Sequence, residues 1–169
     1  KPLLRTPVDG ARLTSRYGRR RHPVLRYTRM HRGVDFAARR GTPVFAAGNG
    51  RIVYRGRKGA FGKYIKIRHN SQYATAYAHL RSFRRGVTSG SRVKQGQIIG
   101  YVGSTGTATG PHLHFEVLVG GRQVNPLRVR LPSGRKLKGK QLAAFQAMRG
   151  TLASRLADLR TPGIKVSSN

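Results

Sequence analysis

Short runs of β-branched and aromatic residues, separated by glycine, are the feature that most limits how this chain can fold. The 169-residue sequence contains 22 glycines, and the apolar runs between them recur about every ten residues. Short strands with turn residues between them predict a mainly β domain built on an antiparallel sheet. The predicted strands are Val44–Ala47, Arg51–Tyr54, Tyr64–His69, Tyr73–Leu80, Gln97–Val102 and His112–Val119.

The pattern changes after Pro126, which predicts a boundary between a first domain over residues 1–130 and a C-terminal extension over residues 131–169. Leu131-Pro132-Ser133-Gly134 is a break. Beyond it, apolar residues recur every three or four positions and predict one amphipathic, basic helix. That helix could pack on the β domain or on a part of the protein outside this chain, or it could lie on a membrane surface. Its apolar positions are Leu142, Phe145, Met148, Leu152, Leu156 and Leu159.

The charge balance is extreme, with 35 lysines and arginines against four acids and a net charge of +31. Such a surface attracts polyanions, including nucleic acid, anionic lipid and anionic cell-wall polymer. The basic residues are spread along the chain without a nucleic-acid motif or a run of stacking aromatics, so no specific nucleic-acid partner is expected. The absence of cysteine excludes disulfide scaffolds, thiol nucleophiles and thiolate zinc sites.

No apolar run approaches the ~18–20 residues of a membrane-spanning helix. The first residues, Lys1-Pro2-Leu3-Leu4, lack the apolar core of a signal peptide. We therefore expect any targeting segment to lie outside this chain.

Two of the four acids lie close to histidines, in His31-Arg-Gly-Val-Asp35 and His112-Leu-His114-Phe-Glu116. On a strand, His112 and His114 point to the same face, with Glu116 placed to accept a hydrogen bond from a ligand imidazole. Gly33 would let the backbone turn so that His31 and Asp35 converge. His31, Asp35 and one histidine of the pair then give three protein ligands and an open position, which is typical of catalytic zinc.

The remaining histidines are less informative. Alternation places His79 on one strand face with Tyr77, where it could be a core residue or a third imidazole that serves as a base or electrostatic stabiliser. His22 precedes a proline, and His69 reads as a surface residue at a strand end.

Together, His31-x-x-x-Asp35, Tyr77-x-His79-Leu80 and Gly110-Pro-His-Leu-His-Phe-Glu116 resemble the LytM/lysostaphin-type zinc metallopeptidases, which cut peptidoglycan peptides. The resemblance covers residues 5–127 and includes Gly41–Gly48, Val93–Gly100 and Val124-Asn125-Pro126. It implies the family's antiparallel β core, and residues 1–130 as its catalytic domain. The run from Arg16 to Val24 is similar to Gram-negative members, which commonly cut D-Ala–diaminopimelate cross-links.

Carried over from the family, the zinc ligands are His31, Asp35 and His114, with one Zn²⁺ per chain. His79 and His112 correspond to the catalytic histidines, and His22 lies near a position where some members contact the transition state. The implied partner is peptidoglycan, with anionic membrane or cell-wall polymer attracted to the basic surface. The implied location is the periplasm or cell envelope, or outside the cell.

Three other functions fit parts of the sequence. A non-catalytic cell-wall-binding or amidase-activating module is the main alternative, although all three ligand positions are intact. Gly48–Val53 with Val93–Gly100 resembles part of a biotinyl/lipoyl-like hammerhead, but no convincing modified lysine stands at a hairpin tip. The hypothesis of a nucleic-acid-binding protein is based on the net charge alone.

Overall fold

The computed structural model describes residues 4–21 and 28–129. All of them belong to one compact unit, Lys1–Pro132. The predicted C-terminal helix and His22 lie outside the described residues, and the domain boundary near residue 130 stays a prediction.

Short antiparallel strands are the main secondary structure of the described residues, which confirms the predicted fold class. A single 3₁₀ turn at Gly59–Phe61 is the only helical element among them. The strands are β1 (Arg12–Ser15), β2 (Gly18–Arg21), β3 (Thr28–His31), β4 (Val34–Ala37), β5 (Pro43–Phe45), β6 (Gly50–Arg57), β7 (Lys63–Arg68), β8 (Tyr73–Phe83), β9 (Arg92–Val93), β10 (Ile98–Val102), β11 (His112–Val119) and β12 (Arg122–Val124). None of the described helical structure has the length and apolar character that a membrane span requires.

The main sheet has ten strands in the described part of the chain, with the order β1-β4-β11-β8-β7-β6-β9. β10 pairs with β5 and β8, and β12 pairs with β11. β2 and β3 form a separate two-stranded hairpin. Strand β11 therefore lies between β4 and β8, where its side chains meet neighbours from both.

Alternate residues of β11 serve different purposes. Leu113, Phe115 and Val117 are buried in the main hydrophobic cluster, together with Tyr77 and Ile65 from the neighbouring strands. His112, His114 and Glu116 alternate with them and point to the opposite face of the sheet. One face of β11 therefore packs in the hydrophobic core, and the other carries His112, His114 and Glu116.

His79 departs from the alternation expected for β8. Its backbone φ is +59°, an uncommon value for a non-glycine residue. Beyond it, Leu80 packs in the same cluster as Tyr77, although an even alternation would place them on opposite faces. The irregular backbone turns the imidazole of His79 away from Tyr77 and towards His112 and His114.

Candidate metal centre and active site

Three neighbouring elements bring the predicted ligand residues together. His114 of β11 lies directly opposite Asp35 of β4 in the sheet register. On its other side it faces Ala78 of β8, whose small side chain leaves the imidazole room. His31 ends β3 of the two-stranded hairpin and approaches from beside the sheet.

The donor atoms of these three residues meet at one point. His31 Nε2 lies 3.1 Å from Asp35 Oδ1 and 3.1 Å from His114 Nδ1. His114 Nδ1 lies 2.9 Å from Asp35 Oδ1. The three form the one group of metal-ligating side chains found among the described residues.

The far side of each imidazole is already bonded. His31 Nδ1 donates to the carbonyl of Arg16 at 2.8 Å. His114 Nε2 donates to Glu116 Oε1 at 3.2 Å, the contact that the sequence suggested. Because each ring uses its outer nitrogen as a donor, its inner nitrogen can offer a lone pair to a cation. Arg20 lies 3.3 Å from Asp35 Oδ2, which leaves Oδ1 at the centre of the group.

Electrostatic interactions favour an ionised Asp35 carboxylate and a protonated His114 imidazole. Burial alone would raise the pKa of Asp35, but the hydrogen bonds and positive charge of His114 and His31 hold it well below its usual range. Burial alone would lower the pKa of His114, but Asp35 and Glu116 raise it to about 9. A cation at this position would take over the role of the His114 proton.

This donor set fits a zinc ion. Two imidazole nitrogens and one carboxylate oxygen are ligands that zinc accepts. Bonds of about 2.0–2.1 Å in a tetrahedral arrangement place ligand atoms about 3.3 Å apart, close to the separations of 2.9–3.1 Å between these atoms. Three protein ligands also leave a fourth position for water or substrate, as in catalytic zinc sites.

His79 and His112 lie beside this group without joining it. Their ring centroids are 4.7 Å apart, and that of His79 is 6.0 Å from that of His114. His79 Nδ1 donates to the Thr105 carbonyl at 2.8 Å, and His112 Nδ1 donates to the Gly110 carbonyl at 2.9 Å. Neither Nε2 makes a hydrogen bond within the described residues. Burial, together with the nearby imidazoles, lowers the pKa of His79, which favours a neutral ring able to accept a proton.

Gly33 is required here because of space rather than backbone freedom. Its φ is not positive, unlike that of many glycines in the chain. A Cβ at this position would lie 2.6 Å from the carbonyl oxygen of Phe115 and 2.7 Å from Cε1 of His114. The bare backbone at Gly33, between His31 and Asp35, therefore makes room for His114.

The loop Gly103–Pro111 holds His79 through a residue that the sequence analysis missed. The Thr105 hydroxyl donates to the Leu80 carbonyl at 2.8 Å and accepts from the Lys63 N–H at 2.9 Å. These bonds fix the loop so that the Thr105 carbonyl meets the ring of His79. A single threonine within a run of small residues gives no sequence signal of such a role. The sequence analysis also missed Phe61, whose ring centroid lies 5.7 Å from that of His114.

His69 does not belong to this centre. As expected from the sequence, it follows the end of a strand, but its ring is only partly exposed and both of its nitrogens are bonded. Nδ1 contacts the Asn49 carbonyl and Nε2 contacts the Thr75 hydroxyl, each at 2.7 Å. His69 thus joins the bend at Asn49 to strand β8. His22 lies outside the described residues.

Comparison with known proteins agrees with this geometry. The model of "Peptidase family M23" matches residues 29–126 of the chain. A peptidoglycan DD-endopeptidase of Vibrio cholerae, ShyC, is 48% identical over 149 residues, which are 87% of this chain and 34% of the relative. The chain spans only 34–37% of the length of the first curated relatives it matches.

Solved structures show the same fold. A zinc-containing peptidase from Vibrio cholerae matches with a TM-score of 0.73 and 41% identity, over 78% of this chain and 41% of that one. The catalytic domain of lysostaphin from Staphylococcus simulans matches with a TM-score of 0.63 and 35% identity, over 70% of this chain and 91% of that one. The matches confirm the resemblance and the β fold that the sequence motifs indicated.

Proposed function

Because this chain belongs to peptidase family M23, we propose that it is a zinc-dependent endopeptidase that hydrolyses peptide cross-links of bacterial peptidoglycan. The observation that carries the proposal is the convergence of His31, Asp35 and His114 beside two further imidazoles. The likeness to a peptidoglycan DD-endopeptidase supports the substrate class. This likeness also agrees with the D-Ala–diaminopimelate bond that the family resemblance implies.

In this proposal, His31, Asp35 and His114 hold the zinc ion. When bound, zinc polarises the scissile carbonyl and lowers the pKa of a coordinated water towards ~7. Arg20 and Glu116 orient two of the ligands through Asp35 Oδ2 and His114 Nε2. Such outer contacts fix the direction of a ligand's lone pair.

His79 and His112 supply the proton chemistry. Each keeps its proton on Nδ1, because a backbone carbonyl accepts that hydrogen bond. Each Nε2 can then take a proton from the attacking water and deliver it to the leaving amine, or, once protonated, donate to the developing oxyanion. Because the two rings lie side by side, both are placed for either role. Kinetic measurements on the two single variants would assign the base and the oxyanion donor.

The basic surface and the location belong to the same proposal. A net charge of +31 favours adsorption to an anionic wall or membrane. An enzyme that acts on peptidoglycan works in the cell envelope. The similarity of the Arg16–Val24 run to Gram-negative family members favours the periplasm.

The direct test incubates the zinc-loaded protein with purified sacculi and identifies the products by mass spectrometry. Cross-linked muropeptides should fall while monomers ending in D-Ala rise. The variants His79→Ala and His112→Ala should keep zinc and lose activity by ~10²–10⁴-fold, whereas His69→Gln, outside the centre, should remain active. A zinc-loaded protein that binds sacculi and releases no monomers would instead indicate the non-catalytic wall-binding or amidase-activating module.

A further inference from the structure

A second candidate site lies at the other end of the sheet order, on strands β6, β7 and β9. An open cavity of about 550 Å³ is formed there. Its lining includes four cationic side chains, Arg51, Arg68, Arg92 and Lys94, and none of the metal-centre residues. All four cationic residues are exposed.

Three of these cations form a row fixed by strand register. Arg51 of β6 lies directly opposite Arg68 of β7 on one side and directly opposite Arg92 of β9 on the other. Side chains directly opposite in antiparallel strands share a face and lie close together. Like charges in such positions destabilise a sheet, so this arginine row is costly unless an anion lies across it.

The described part of the chain offers no anion of its own for this purpose. None of the cavity-lining residues is acidic. The acids described elsewhere are committed: Asp9 pairs with Arg5 at the surface, and Asp35 and Glu116 belong to the metal centre. The arginine row therefore presents uncompensated positive charge within a concave surface.

Hydrogen bonds hold two of the lining residues, Arg51 and Asn49, in place. Arg51 donates to the Gly90 carbonyl at 2.7 Å. Asn49 accepts the Gln95 N–H through Oδ1 at 2.7 Å, and its carbonyl bonds the ring of His69. Fixed surroundings reduce the ordering cost of binding a ligand.

We propose that this cavity is an anion-binding site for a multivalent phosphate group. Arginine forks match phosphate oxygens in a bidentate manner. Neighbouring strands are about 4.8 Å apart, so the guanidinium groups of the row can contact one compact, highly charged anion together. A single carboxylate carries too little charge to offset four cations. The site is separate from the peptidase centre and does not depend on the proposed function.

The test titrates the full chain with tripolyphosphate by calorimetry at about 0.15 M salt, where distant charges are largely screened. The pocket variant carries Arg68→Gln, Arg92→Gln and Lys94→Gln, and it keeps Arg51 and its bond to Gly90. The control variant carries Arg39→Gln, Arg40→Gln and Arg85→Gln, which removes the same charge from exposed positions outside the cavity. A parallel arm measures binding to phosphatidic acid vesicles against neutral phosphatidylcholine vesicles.

The proposal expects one tripolyphosphate per chain, with affinity reduced at least about tenfold in the pocket variant and less than about threefold in the control. The same contrast on phosphatidic acid vesicles identifies a lipid headgroup as a source of the phosphate; a contrast with tripolyphosphate alone identifies a soluble one. Equal losses in both variants, or no loss in the pocket variant, overturn the proposal, because binding would then reflect the total charge of the chain.

Discussion

At the scale of single residues, the centre depends on the absence of a side chain at Gly33. Gly33→Ala would drive a methyl group into the ring of His114 and the Phe115 carbonyl. We expect this variant to lose most of its zinc affinity, since His114 must move away from Asp35. Gly110→Ala is the matched control, because a Cβ there meets nothing within 4 Å. Zinc titration of both variants tests this; equal affinities would show that His114 can adapt.

Zinc binding should depend on pH through His114. In the absence of metal its pKa is raised to about 9, so near neutral pH zinc must displace a proton. Apparent affinity should therefore rise about tenfold per pH unit between pH 6.5 and 8.5, while Asp35 stays ionised throughout. Chelator competition measures this slope. Glu116→Gln removes a charge that raises the His114 pKa, so its slope should flatten at lower pH; an affinity independent of pH in both proteins would contradict the assignment.

Thr105 should act on catalysis without touching the metal. Thr105→Val keeps the shape of the side chain and removes the hydroxyl bonds to Leu80 and Lys63. The loop carbonyl would then no longer fix the His79 ring, and kcat should fall on the order of 10–100-fold. Zinc content and KM should change little, and Thr105→Ser should restore activity. Wild-type kcat in the valine variant would leave Thr105 with a structural role only.

These residues show how far the sequence leads at this scale. The spacing of His31 and Asp35, together with the His-x-His pair on one strand face, predicts a three-ligand group, and the family resemblance selects His114 from that pair. Thr105 could not be predicted, and Gly33 was predicted as a turn residue rather than as a residue that leaves space, because both roles depend on which loop or ring packs against them. The catalytic role of His79 stays a prediction, and its positive φ interrupts an alternation that the sequence alone presents as regular.

At the scale of elements, all six predicted strands are present as β5, β6, β7, β8, β10 and β11. Strands β1 to β4, β9 and β12 were not predicted. β2 is Gly-Arg-Arg-Arg and β3 is Thr-Arg-Met-His, and such short, cationic segments lack apolar alternation. β2 and β3 form because they pair with each other. This pairing depends on the tertiary structure and not on the local sequence pattern. The missed elements nevertheless carry His31 and Asp35.

At the scale of the whole molecule, the net charge should govern adsorption rather than chemistry. Exposed charges more than about 8 Å apart are largely screened at ~0.15 M salt. Binding to sacculi should therefore fall steeply between low and high ionic strength. Turnover of a small soluble peptide, which occupies only the zinc cleft, should change far less. A sacculus pull-down and a peptide assay over the same salt series test this; parallel loss of both, or salt-independent binding, would contradict electrostatic anchoring.

The central claim is that His31, Asp35 and His114 hold one zinc ion, and metal analysis of purified variants tests it most directly. The wild-type chain and Asp9→Ala, which removes an exposed acid paired with Arg5, should each contain about one zinc per chain. Asp35→Ala should contain almost none, because two remaining ligands rarely retain the metal. Full zinc occupancy in Asp35→Ala would contradict the account.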